Sequence, residues 1–206
     1  LFDILRERAM TQATAIASRS SRRVVTYRKF WSRIERGTAR LKSEWHVQPG
    51  DTVAYWGLGH QDALMLYIAT ARCGARLLPL EHADLQQNSA AILREIPVKI
   101  LLHDDDMVFD VAPAVPTLVN LSSLIATRCH HTPPVDEDAG LPSLISLSVT
   151  ANGSLQVEEK SLHQLSSATA SSAAHEFKIA AALFDTDVFA PQVLSTLLAG
   201  GTIIFR

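Results

Sequence analysis

The sequence is poor in cysteine, in long apolar runs and in net charge, and each shortage removes a class of protein. Two cysteines, Cys73 and Cys129, stand far apart in 206 residues and match no metal spacing. No disulfide framework is expected, and the pair reads as reduced thiols of a cytoplasmic protein. The opening stretch LFDILRERAMTQATAIA mixes charges with apolar residues, the pattern of neither a signal peptide nor a membrane span. A net charge of −2 provides no long-range field, so neither nucleic acid nor a membrane surface is an expected partner. Arg19, Arg22 and Arg23 form one short basic cluster, which reads as a solvated turn.

Catalytic signatures are equally sparse. No G-x-S-x-G elbow precedes a helix, and Gly57-Leu58-Gly59 lacks the third glycine of a dinucleotide fingerprint. His103 with Asp104, Asp105 and Asp106, and Cys129 with His130 and His131, are runs of adjacent residues. Neighbours on one strand point in different directions, so these runs do not make a metal site.

What is present is a globular composition, 47% hydrophobic, and a regular alternation of elements. Tyr27, Phe30, Trp31, Ile34, Thr38, Leu41 and Trp45 recur at helical spacing, with Thr26 placed to cap the helix. Pro49-Gly50-Asp51 makes a turn into a buried strand at 52–56. A helix over 61–73 stops at Gly74, suited to the left-handed position after a helix, and a strand at 76–80 follows. The pattern predicts a helix at 85–94, strands at 98–102 and 117–120, and an irregular stretch at 131–142. Beyond it lie a strand at 144–150, a helix at 158–174, a strand at 178–183, a helix at 188–198 and a strand at 202–205. Strands alternating with helices imply an α/β fold with a mostly parallel sheet. The division expected is a first α/β subdomain at 1–130, a linker at 131–142 and the start of a second subdomain at 143–206. In such sheets ligands bind at the carboxyl ends of the strands, here after Trp56, Leu80, Leu102, Thr150 and Leu183.

Three blocks, in order, carry a resemblance. TYRKFWSRIERGTARLKSEWHVQPGDTVAYW at 26–56 resembles a T-Y-x-x-L helix leading into a P-G-D-x-V strand. ATARCGARLLPLE at 69–81 is similar to a helix ending in G-A before a strand that closes on proline and an acid. LFDTDVFAPQVLSTLLAGGTIIF at 183–205 is similar to a segment ending L-L-x-G-G-T. Together they resemble the adenylate-forming superfamily of acyl-CoA synthetases and peptide-synthetase adenylation domains, over the first part of its large N-terminal domain. The resemblance implies a layered α/β fold, ATP or AMP with magnesium as cofactors, and a carboxylic acid substrate.

In that family a glycine-rich loop, T-S-G-T-T-G-x-P-K-G, holds the β- and γ-phosphates of ATP. Glycine permits close backbone approach and lysine opposes the phosphate charge. The matching stretch here, SVTANGSLQVEEKSLHQ, is shorter by about three residues in that comparison, holds one glycine and has no Pro-Lys-Gly. Thr150, Gly153 and Ser154 can be carried over as vestigial nucleotide-binding residues, while Lys160 falls too late, in the expected helix. No catalytic residue and no metal ligand is assigned. The family's Y-G-x-T-E segment, ribose-binding aspartate and C-terminal lysine are not found before Arg206. The reading is therefore the N-terminal portion of an AMP-dependent ligase-like protein, a fragment of something longer, impaired or inactive alone. The alternative is a non-catalytic pseudo-ligase module that binds or scaffolds proteins. A carrier protein, a partner subunit or a second copy are the partners expected, the last through an apolar surface or unpaired edge strand near 202–205.

Overall fold

The computed structural model describes residues 1–80, 89–104, 117–126, 142–149, 155–167, 175–179, 182–185 and 188–206. In chain order these form α1 (Phe2–Thr11), β1 (Ile16–Arg19), β2 (Val24–Thr26), α2 (Tyr27–Ser43), β3 (Thr52–Trp56), α3 (Gln61–Ala71), β4 (Arg76–Leu80) and α4 (Ser89–Glu95). There follow β5 (Ile100–His103), β6 (Leu118–Asn120), α5 (Leu121–Ala126), β7 (Pro142–Val149), β8 (Leu155–Ser161), α6 (Leu162–Ser167) and β9 (Glu176–Lys178). A π-helical segment (Phe189–Leu194) runs into α7 (Ser195–Leu198) before β10 (Thr202–Ile204).

Continuous apolar sequence makes the centre. Every residue of β3 is buried, and every residue of β4 but Arg76, as expected for strands covered on both faces. Parallel pairing places β5 and β4 on either side of β3, β6 beyond β5, and β7 beyond β4. Antiparallel β8 closes the order β6-β5-β3-β4-β7-β8. The side-chain period of two then divides this sheet between two cores. Val53, Tyr55, Leu77 and Leu102 face the core built with α2 and α3, whereas Ala54, Trp56, Leu78 and Leu101 face Ile92 and Leu93 of α4.

A second, four-stranded sheet has the order β2-β1-β10-β9. Helix α3 is apolar around its whole circumference, and all but one of its residues are buried. Such a helix needs cover on all sides. It contacts β4 and β7 of the larger sheet, while Tyr67 stacks edge-on against Phe189, with ring centroids 4.8 Å apart.

The short motifs turn out to be joints between these parts. Thr26 caps α2 by accepting the Lys29 N–H, and the Tyr27 hydroxyl lies 3.0 Å from the Leu197 carbonyl and 2.7 Å from that of Gly201. Burial pushes the Tyr27 phenol far above its ordinary pKa, so it stays a donor. Gly50, at φ +84°, donates to the Gly74 carbonyl, and the Asp51 carbonyl accepts from the Arg76 N–H. Gly74 itself has φ +68°, the left-handed conformation expected after α3.

Three expectations are corrected. The helix at 158–174 is instead β8 followed by α6 from Leu162, with residues 168–174 outside the described set. The strand at 178–183 lies earlier, as β9 at Glu176–Lys178. The 202–205 strand is no edge, because β10 is hydrogen-bonded to β1 on one side and β9 on the other. Its neighbour β1, together with β2 and α1, was not anticipated at all. Strands from before and after residues 131–142 share both sheets.

Candidate functional site

Because β3, β4, β5, β6 and β7 are mutually parallel, their carboxyl ends lie along one edge of the larger sheet. That edge is where an open parallel sheet receives ligands. Leu77 is level with Leu144, so the carboxyl end of β7 stands beside that of β4. Val149 and Leu155 are register partners, the last described residue of β7 and the first of β8, at that same edge. Thr150, Gly153 and Ser154 belong to the connection between them and lie outside the described residues.

The flanking strands nonetheless limit what the connection can do. It joins two antiparallel strands, not a strand and a helix, and α6 starts only at Leu162. Ser161 and Gln164 form a reciprocal cap there: the Gln164 N–H donates to Ser161 Oγ at 3.2 Å and the Ser161 N–H to Gln164 Oε1 at 2.7 Å. Among the described residues, the first helix N-terminus after β7 therefore comes only after the whole of β8. Lys160 pairs in register with Leu144, five residues down the hairpin from Val149 and Leu155. At ~3.4 Å per residue that is about 17 Å from the Val149–Leu155 end of the pair, beyond the reach of a lysine side chain. Its ammonium instead lies 3.6 Å from Glu158.

A polar cluster that the sequence did not reveal occupies the neighbouring stretch of the edge. Asp104, just past β5, accepts the Leu58 N–H at 2.9 Å and lies 3.0 Å from the Tyr55 hydroxyl through each carboxylate oxygen. His60 Nδ1 accepts the Asp62 N–H at 3.1 Å, which puts the imidazole proton on Nε2. Nε2 then donates to Asp104 Oδ1 at 2.7 Å. The Tyr55 hydroxyl also lies 2.6 Å from the Leu58 carbonyl, so its one proton lies between that carbonyl and Asp104. Burial alone would raise the Asp104 pKa. The hydrogen bond from His60, with those from the Leu58 N–H and the Tyr55 hydroxyl, outweighs it and holds the carboxyl below the usual range.

Both nitrogens of His60 are thus engaged, and neither faces a substrate as a general base. The cluster is a clip: it ties the β3–α3 turn to the end of β5 and holds the carboxyl edge in shape. His103 turns its Nδ1 to the Asp104 backbone carbonyl at 2.9 Å, so the adjacent pair does not converge on a metal. Asp105, Asp106, Cys129, His130 and His131 lie outside the described residues. Among the described residues, no three His, Cys, Asp or Glu side chains are grouped to hold a metal ion. Arg23, from the basic cluster, is structural: it grips Asp62 with two nitrogens at 2.9 and 2.7 Å, while Arg19 lies 3.3 Å from Glu176. Cys73 is buried, its thiol pushed up to about 12 by its apolar surroundings, and is a core residue.

The sequence model of the AMP-binding enzyme family matches residues 5–174. The chain belongs to that family. No curated protein matches it. Among solved structures, the inhibitor-bound N-terminal domain of FACL13 from Mycobacterium tuberculosis superposes with a TM-score of 0.84 at 17% identity, over 100% of this chain and 56% of that one. The NpsA N-terminal subdomain of Klebsiella oxytoca, in complex with 3-hydroxybenzoyl-AMSN, gives 0.83 at 18% identity, over 100% and 53%. O-succinylbenzoate coenzyme A synthetase of Bacillus subtilis, in complex with AMP, gives 0.82 at 15% identity, over 98% and 55%. This AMP-binding family member therefore has the fold of those domains and spans about half the length of the chains it matches. Among its described residues no helix is long and apolar enough to cross a membrane.

Proposed function

We propose that this chain is the N-terminal part of an adenylate-forming ligase whose carboxyl edge receives an adenine nucleotide but grips its terminal phosphates weakly. Family membership and the shared fold support the nucleotide. The observation that carries the weak grip is the β7–β8 hairpin, whose register leaves Lys160 about 17 Å from its Val149–Leu155 end. In adenylate formation a carboxylate attacks the α-phosphorus and pyrophosphate leaves, and positive charge is needed where the leaving group gathers electrons. Backbone amides around Gly153, with the hydroxyls of Thr150 and Ser154, can hold an anion but supply no cation. Magnesium would have to arrive with the nucleotide. On this reading turnover requires segments such as those that the longer relatives possess, with a carboxylic acid as substrate and a thiol on coenzyme A or a carrier protein as acceptor.

A second reading, a pseudo-ligase that serves as a protein-binding module, draws on the same missing lysine. Isothermal titration with AMP, repeated on Gly153→Val, separates the two. Heat that the substitution abolishes supports the nucleotide site. No heat at millimolar AMP removes it and leaves the binding module.

A further inference from the structure

A continuous chain of polar contacts runs from the smaller sheet to the carboxyl edge of the larger one, and Arg23 stands at its far end. Arg23 lies on the turn from β1 into β2, where the Ser20 N–H donates to its carbonyl at 2.8 Å and Ser20 Oγ accepts its N–H at 3.2 Å. Its guanidinium reaches across to α3: two nitrogens hold the two carboxylate oxygens of Asp62, and Nε donates to Gln61 Oε1 at 2.8 Å. Gln61, itself buried, donates back to the Arg23 carbonyl at 3.2 Å. This planar, bidentate grip fixes the first turn of α3 against the start of β2. Arg33 of α2 adds a second guanidinium, 3.8 Å from Asp62 Oδ1. From Asp62 the chain continues through its N–H to His60 Nδ1, and from His60 Nε2 to Asp104.

The Asp62 carboxylate belongs to the same residue whose N–H meets Nδ1. A carboxylate next to an imidazole draws the ring proton to the nearer nitrogen. Freed, this one would favour a proton on Nδ1, and a ring protonated there can neither accept the Asp62 N–H nor donate from Nε2 to Asp104. Arg23 holds the carboxylate toward β2 and neutralises it, and the ring keeps its proton on Nε2. We propose that Arg23 is a positioning residue: by holding Asp62 it leaves His60 as the cap of α3 and the donor to Asp104, and so keeps the β3–α3 turn clipped at the edge that, on the reading above, receives the nucleotide. Loss of Arg23 is then felt at the far end of the chain of contacts, at the Leu58 N–H that Asp104 accepts at 2.9 Å.

The test reads the His60 ring by nitrogen NMR on the whole chain with isotope-labelled histidine, at mildly alkaline pH, its signals assigned by their loss in His60→Gln. The wild type is expected to show a single tautomer with the proton on Nε2. Arg23→Gln is expected to show a mixture of tautomers, with amide exchange at Leu58 and Asp62 faster by about ten-fold. Asp62→Ala added to Arg23→Gln should restore the single tautomer, because the competing carboxylate has gone; a fold merely loosened would not be mended by a second deletion. The proposal is overturned by a wild-type ring protonated on Nδ1, by an unchanged tautomer in Arg23→Gln, or by a double variant no nearer the wild type than the single one. Titration with AMP is a separate arm, in which affinity is expected to be about five-fold weaker in Arg23→Gln and recovered in the double variant. Equal affinity in all three overturns the positioning role, whereas no AMP binding by the wild type removes the nucleotide reading and leaves the tautomer to decide on Arg23.

Discussion

Gly57 has no side chain because Asp104 occupies the space one would need. A Cβ built there meets Asp104 Oδ2 at 2.2 Å and the Tyr55 hydroxyl at 2.4 Å. Gly57→Ala must therefore open the clip, and urea denaturation should show a loss of about 3 kcal/mol, from overpacking and from buried polar groups left unpaired. Gly50→Ala, at φ +84° with open space around it, should cost only about 1–2 kcal/mol of backbone strain. Equal losses at the two positions would contradict the clip. Asp104 also makes stability depend on pH. Its folded pKa is depressed, so its contribution is full above the unfolded value of about 4 and fades as pH falls through the folded value. Asp104→Asn should lower stability by about 2 kcal/mol near neutrality and flatten the acid limb of the stability curve below about pH 4. An unchanged acid limb would assign that dependence to other carboxylates. Nothing local in the sequence announces this cluster. Tyr55, His60 and Asp104 come from a strand, a helix cap and a strand end, and only the pairing of β3 with β5 brings them together.

Among the elements, those read correctly are those whose own residues dictate them. β3 and β4 are unbroken apolar runs, and α2 has its stripe and its threonine cap. β8 was misread because Gln156, Val157, Glu158 and Glu159 are all exposed on a strand with β7 as its one described neighbour, and glutamate and lysine favour helices when only propensity is weighed. A sharper signal was available: Ser161-x-x-Gln164 is a capping box, which starts the helix after Ser161. The element scale carries two predictions. Tyr27→Phe removes the hydroxyl that ties the start of α2 to the α7–β10 corner, and thermal or urea melts should register a loss of about 1–2 kcal/mol. Lys160→Met, at the far end of the hairpin from the turn, should leave AMP affinity within about two-fold of wild type. A larger fall would place that ammonium at the nucleotide and refute the hairpin register.

For the whole molecule, the α/β class follows from alternation, but the second sheet does not. Its centre is β10 laid parallel to β1, a pairing between the two ends of the chain that no window of sequence contains. The family blocks near 26–27 and 197–201 are spaced far apart yet meet through Tyr27, which explains why each looks slight by itself. On the proposed reading, residues 150–154 hold a nucleotide without a lysine for its terminal phosphates. The most direct measurement is the ratio of dissociation constants for AMP and for ATP with magnesium on the purified chain. A ratio near one is predicted, since the added phosphates meet no lysine; ATP binding about a hundred-fold tighter than AMP, a gain of roughly 2.7 kcal/mol, would show a working phosphate clamp and contradict the account.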